Sequence, residues 1–326
     1  MLTEFALDTS FFESDALKTK TTNRDFLKLW KKYGVLILGE NQEIDEILKQ
    51  LKGKIPPEVY QDWKESFEDN ICIKSKNSWK SFCDYNDYSE ILNLNSFFKT
   101  GITEATTSEW VRGLPNYISF CNKSNFEVLD VDDQSISYNF LKSEKESVSD
   151  IMRGSNNQKI WENKFDTLAK YTKDIVLLDR YFFKNIRVDS KKGRKTSVEV
   201  FLTFLLQYRK KFNLTFISEG HEENSDEHIE ICEFFNSIAK TELAKSFNKI
   251  NLISKTEKYF QSLSHERFIS FDKYVCSIGP GLSIFSTYTS NQTDFKMVLE
   301  EYSCVPMRVV KARKNPLWEK EYLPKK

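Results

Sequence analysis

A chain of 326 residues, 40% hydrophobic and 14% aromatic, can bury a substantial core, which excludes wholesale disorder and favours two domains over one. Its 48 basic and 48 acidic residues cancel, so any pull toward nucleic acid or an anionic surface must come from local patches. No apolar run is long enough to span a bilayer, and the six cysteines are scattered without a C-x-x-C pair; a cytoplasmic protein with reduced thiols and no membrane span is expected.

The first segment, residues 4–10, is a short apolar run closing on an acid and two hydroxyls, which reads as a strand presenting Asp8 at its carboxyl end. Phe26, Leu27, Leu29 and Trp30 give an apolar face to a helix over 23–33; Gly34 ends it, and Val35 to Leu38 reads as a second strand. Ile44, Ile47, Leu48 and Leu51 have helical spacing, and Pro56 and Pro57 open a further helix carrying Tyr60, Trp63 and Phe67. Beyond Asn70 the aromatic pattern predicts helices over 78–88 and 91–100, then a strand over 126–129. The polar stretch 144–158, with Gly154, Ser155, Asn156 and Asn157, separates a helix-rich α/β domain, 1–150, from a second domain, 151–326.

A helix over 159–171 leads into the second domain, where Ile175 to Leu178 reads as a buried strand ending at Asp179. A polar loop over 189–195 precedes a helix over 197–208, and Leu214 to Ser218 forms the next strand. An acidic loop, a helix over 226–244 and strands over 251–253, 267–271, 274–278 and 283–285 complete the pattern. Apolar strands alternating with helices imply an α/β fold: a mixed, mostly parallel sheet with helices on both faces, whose last strands pair antiparallel.

His265 and Arg267 stand two apart on a predicted strand and so share a face. A guanidinium grips non-bridging phosphate oxygens, while an imidazole attacks phosphorus or donates a proton. Asp272, at the turn after that strand, is expected to orient a donor. The turn from Ser277 to Gly281 offers backbone N–H groups to an anion, which makes Ser277, Gly279 and Gly281 phosphate-binding candidates. Lys191, Lys192 and Arg194 form the strongest basic cluster, expected at the carboxyl edge of the sheet against a phosphodiester backbone.

The spacing of His265, Arg267 and Asp272 resembles the H-x-K-x4-D signature of the phospholipase D superfamily, with Arg267 in the lysine position. Together with Asp179-Arg180-Tyr181 and the turn Ile278 to Leu282, it is similar to the phospholipase-D-like domain at the C-terminus of MIT-domain proteins, over residues 165–310. The resemblance implies a nuclease-type phosphodiesterase with His265 as nucleophile or general acid, Arg267 as phosphate clamp and Asp272 as orienting acid, with no cofactor at that site. Catalytic members use two such motifs and this chain has one, so catalysis requires a homodimer sharing the site across a two-fold axis. Arginine in the lysine position is typical of the MIT-associated group. It implies the alternative of a non-catalytic phosphate- or partner-binding module, or a scaffold subunit with a protein partner. The combination also resembles accessory nucleases of prokaryotic defence against mobile elements, acting on nucleic acid.

The stretch Leu7-Asp8-Thr9-Ser10-Phe11-Phe12 resembles the opening strand of PIN-type nucleases. That resemblance implies Asp8 as a ligand for Mg²⁺ or Mn²⁺ and a metal-dependent nuclease in the N-terminal domain. Elsewhere, His221 and His228 flank an acidic loop whose spacing matches no zinc motif. Ser225, Asp226 and Glu227 read there as a helix start, and the loop stands at the ligand-bearing edge of the sheet, where it could gate a site. The six tryptophans read as packing residues rather than base-stacking platforms.

Overall fold

The computed structural model describes residues 1–121, 123–261, 267–285, 292–301 and 304–324. The chain forms two compact units, Met1–Lys145 and Glu146–Lys326. Each is built on its own sheet.

In the N-terminal unit, β1 (Thr3–Leu7), β2 (Gly34–Leu38), β3 (Cys72–Lys74), β4 (Thr100–Thr103) and β5 (Glu127–Asp130) lie in the order β3-β2-β1-β4-β5. Every pairing is parallel. A parallel sheet needs cover on both faces. The helices available are α1 (Lys20–Tyr33), α2 (Ile44–Leu51), α3 (Pro57–Asp69), α4 (Tyr88–Leu92), α5 (Ala105–Gly113), α6 (Tyr117–Cys121) and all but the last turn of α7 (Tyr138–Val148). The apolar spacings of α1 and α3 now have a purpose: Phe26, Trp30, Trp63 and Phe67 join Phe5 and Phe11 in one aromatic core. A buried amide locks it. Asn23 donates to Leu17 O and Thr19 O, each at 2.7 Å, and its Oδ1 accepts the Trp63 indole N–H at 2.8 Å.

Two aromatic stretches depart from the helices expected of them. Residues 78–88 hold only a 3-10 turn, Phe82–Asp84, before α4 begins, because Asp8 captures Ser81 and Phe82. Residues 91–96 are helical, as the end of α4 and a 3-10 turn, Asn93–Ser96, but the chain then leaves the helix for β4, where Gly101 admits the Phe82 ring so closely that a Cβ would sit 2.3 Å from it.

In the C-terminal unit, β6 (Asp174–Leu178), β7 (Phe212–Glu219), β8 (Phe247–Lys255), β9 (Phe268–Phe271), β10 (Tyr274–Ile278), β11 (Phe295–Leu299) and β12 (Trp318–Tyr322) lie in the order β11-β10-β9-β6-β7-β8-β12. The central β6, β7 and β8 are parallel. The strands β9, β10 and β11 continue antiparallel from β6, and β12 pairs antiparallel with β8. The helices are α8 (Asn157–Ile160), α9 (Asp166–Tyr171), α10 (Phe182–Lys191), α11 (Ser197–Leu205), α12 (Asp226–Ile238), α13 (Glu257–Gln261) and α14 (Cys304–Arg313). Residues 283–285, expected as a strand, instead end a 3-10 turn, Gly281–Phe285. Gly281, at φ +62°, turns the chain off the sheet, and Phe285 joins Trp161 and Phe165 in an aromatic cluster. Among the described residues no helix is long and apolar enough to cross a membrane.

Replacing Asn23 by Ala strands the Trp63 N–H and two carbonyls. A loss of about 2–3 kcal/mol is expected, read as a lower urea midpoint at unchanged slope; an unchanged midpoint would contradict the tie.

Candidate functional site

Asp179 follows directly on the end of β6, and its carboxylate turns inward and is only 1% exposed. One oxygen accepts the Tyr181 N–H at 3.0 Å and the other the Leu282 N–H at 3.2 Å. Gly281 packs so tightly here that a Cβ would lie 2.0 Å from Asp179 Oδ2. Burial pushes the Asp179 carboxyl above its ordinary range, against the opposing pull of the Tyr181 N–H, the Arg267 charge and the Leu282 N–H.

Arg267 leads into β9 beside this carboxylate. Its Nε stands 4.0 Å from Asp179 Oδ1, an Nη donates to Gly279 O, and its Cζ lies 4.7 Å from the centre of the Tyr181 ring. A guanidinium carries five N–H donors in one plane. Within the described residues Gly279 takes one of them, and the side chain remains 23% exposed. Three stretches far apart in sequence therefore meet: Asp179 to Tyr181, Arg267, and Gly279 to Leu282.

The other candidates fall elsewhere. His265 and Glu266 lie outside the described residues. Asp272 cannot orient a donor at Arg267, because β9 runs antiparallel to β6, with Phe268 opposite Leu178 and Phe271 opposite Ile175. Arg267 and Asp272 thus sit at opposite edges of the sheet, separated by four strand residues at about 3.3 Å each. Asp272 instead accepts the Asp174 N–H at 2.9 Å and the Lys173 N–H at 3.4 Å. Ser277 is exposed on β10. Gly279 contributes a carbonyl rather than an N–H, and the N–H groups around Gly281 meet an anion the protein supplies itself, Asp179. The basic cluster is not at the carboxyl edge. The loop expected to hold Lys191 is helical there, and Lys191 closes the ten-residue α10, about 15 Å along the helix from its start. Lys191 pairs with Glu230 at 3.0 Å, while Lys192 and Arg194 follow in the turn beyond it.

At the carboxyl ends of β6 and β7 a cleft of about 390 Å³ opens beside Tyr181. Its rim carries two arginines, each held by two carboxylates. Arg180 pairs with Glu219 at 2.5 Å and Glu257 at 2.6 Å; Arg187 pairs with Glu227 at 3.2 Å and Glu230 at 2.6 Å. Its floor is aromatic. Trp318 of β12 stacks on Phe183 with centroids 5.1 Å apart, contacts His228 at 4.7 Å, and donates its indole N–H to His221 O at 3.1 Å. The acidic loop is thus tied to the cleft wall, and Ser225 caps α12 as its sequence predicts. Sequence reasoning singled out His221 and His228, but assigned no site role to Arg180, Arg187 or Trp318. Arg180, Lys184 and Arg187 recur at helical spacing directly after a strand, a signal that could have placed the cationic rim.

Asp8 ends β1 as expected and is 2% exposed. Its carboxylate accepts from Ser10 N, Ser81 Oγ and Phe82 N, each at 2.9 Å. A divalent-cation site gathers carboxylates around the ion, whereas Asp8 is ringed by hydrogen-bond donors. Among the described residues no group of three or more His, Cys, Asp or Glu side chains is arranged to hold a metal. Asp8 does not fit the metal-ligand role and serves to clamp the 81–82 segment onto the sheet.

No family model matches this chain, and no curated protein matches it. Among solved structures, it is similar to the archaeal chromatin protein TrmBL2, described as showing a novel mode of DNA binding, at 11% identity over 56% of this chain and 57% of that one, with a TM-score of 0.23. A likeness of that size carries no argument about function.

Asp179→Asn turns an amide NH₂ toward a backbone N–H and removes the charge facing Arg267. It is expected to cost about 2–3 kcal/mol of unfolding free energy in chemical denaturation, and a neutral outcome would contradict the assigned contacts. In the N-terminal unit, millimolar Mg²⁺ or Mn²⁺ should leave the melting temperature unchanged. A Mn²⁺-dependent rise that Asp8→Asn abolishes would restore the metal role.

Proposed function

We propose that the C-terminal unit is a phosphate-recognition module of the phospholipase-D-like kind, binding the phosphodiester backbone of a nucleic acid at Arg267. The observation that carries this reading is the setting of Arg267. Its guanidinium is fixed on one face by the Tyr181 ring and at one end by Gly279 O, yet its side chain stays partly open to solvent. A cation held rigid loses little freedom on gripping a phosphate, and the fork of N–H groups suits two phosphate oxygens at once. Binding is favoured over chemistry because Asp272, the acid that would complete a catalytic set, stands at the other edge of the sheet.

Phosphodiester cleavage at the same site is the second reading, favoured by His265 standing two residues before Arg267 in the chain. With one such motif per chain it requires a homodimer. Cleavage of DNA or RNA that resists EDTA and vanishes in His265→Ala would establish it.

The binding reading is tested by titrating a labelled oligonucleotide at several salt concentrations. Arg267→Ala should weaken binding about tenfold or more and lower the slope of log affinity against log salt by about one. Arg267→Lys should fall between. An unchanged affinity and slope would overturn the proposal.

A further inference from the structure

The cleft beside Tyr181 has a character unlike that of Arg267. Its two arginines are each paired with two carboxylates, of which Glu219 and Glu227 line the cleft itself beside Lys184, so the rim offers both signs of charge rather than a bare cation. Phe183, Ile231 and Trp318 give the same cleft an apolar lining. His228 accepts the Asn224 N–H at Nδ1, at 2.9 Å, which leaves its ring proton on Nε2 as a donor. An apolar floor with both donors and acceptors on the rim suits a flat, neutral group with a polar edge. The volume, about 390 Å³, suits a small ligand. The cleft and Arg267 share a wall: the Tyr181 ring centre lies 5.4 Å from Arg180 Cζ on the cleft side and 4.7 Å from Arg267 Cζ.

We infer that this cleft is a base pocket, receiving the nucleobase of a nucleotide whose phosphate lies on Arg267 across the Tyr181 ring. The inference rests on the phosphate reading of Arg267 and extends it: the ligand becomes an unpaired nucleotide, free or within a single strand, because a base inside a duplex cannot enter a cleft. The carboxylates on the rim accept from a base's exocyclic amino group, and His228 Nε2–H donates to a ring nitrogen or carbonyl. Stacking and edge contacts of this kind tolerate several bases, so a preference among them rather than strict selection is expected.

The test uses the full chain and three probes: a single-stranded oligonucleotide, a mononucleotide, and ribose 5-phosphate, which lacks the base. The variants are His221→Ala, at an exposed rim position, and His228→Leu, which keeps bulk against Trp318 but removes the ring donor. Each is first checked for an unchanged melting temperature. Nucleotide binding should fall about tenfold in the His228 variant, and less in the His221 variant, while ribose 5-phosphate binding stays constant. Arg267→Ala should weaken all three probes. Tight strand binding with weak mononucleotide binding would place the pocket within a single-strand track, and the converse would make the free nucleotide its ligand; both support the base pocket. Ribose 5-phosphate competing as well as the nucleotide, equal binding of nucleotide by wild type and both histidine variants, or no nucleotide binding at all would overturn it. Nucleotide binding that survives Arg267→Ala but is lost in His228→Leu would overturn the phosphate reading while leaving the cleft assigned.

Discussion

A carboxylate taken out of water needs donors or a cation to compensate its lost hydration, and the C-terminal site is arranged around meeting that need for Asp179. Two backbone N–H groups and the Arg267 guanidinium supply it. Each partner is fixed in return. The Tyr181 N–H contact sets the first turn after β6, the Leu282 N–H contact holds the Gly279–Leu282 turn, and Arg267 is oriented between them. Gly281 is required where a side chain would collide with the acid. A buried acid thus converts three loose strand ends into one rigid edge. Part of the Arg267 charge is spent in the process, so the proposed grip on an anion would rest on geometry and hydrogen bonds more than on net charge.

Asp8 in the N-terminal unit does a similar structural task with no cation. It ends a central parallel strand, lies buried, and draws in three donors, one of which positions Phe82 over Gly101. Both acids occupy the carboxyl end of a strand, where open α/β sheets carry their ligands. The difference lies in what each holds: among the described residues Asp8 holds backbone and hydroxyl donors, whereas Asp179 also faces a partly exposed arginine.

Much of this is legible in the sequence. Ile175 to Leu178 is an unbroken apolar run and Leu214 to Ile217 is apolar but for Thr215, as parallel strands covered on both faces require. Asp179, Tyr181, Arg267 and Gly279 can be brought together on paper because each flanks such a strand at one edge. Asp272 is misplaced because spacing counts residues and not strand ends; the four residues of β9 between Arg267 and Asp272 cross the sheet. The basic cluster is misplaced because Asp189 and Ser190, polar enough to read as loop, continue α10. Thr100 to Thr103 is hidden behind Phe97 and Phe98, whose aromatic spacing suggests a helix, until pairing with β1 and β5 on both sides draws the chain into the sheet. Trp318 begins an edge strand of which only Trp318 and Tyr322 are buried, so its alternation is too faint to register.

Thermal unfolding in increasing inorganic phosphate, with ionic strength held constant by chloride, tests the anion site most directly. A ligand that binds only the folded protein raises its melting temperature by mass action. Wild type should show such a rise and Arg267→Ala should not. A rise of equal size in both would mean that phosphate is held somewhere other than at Arg267.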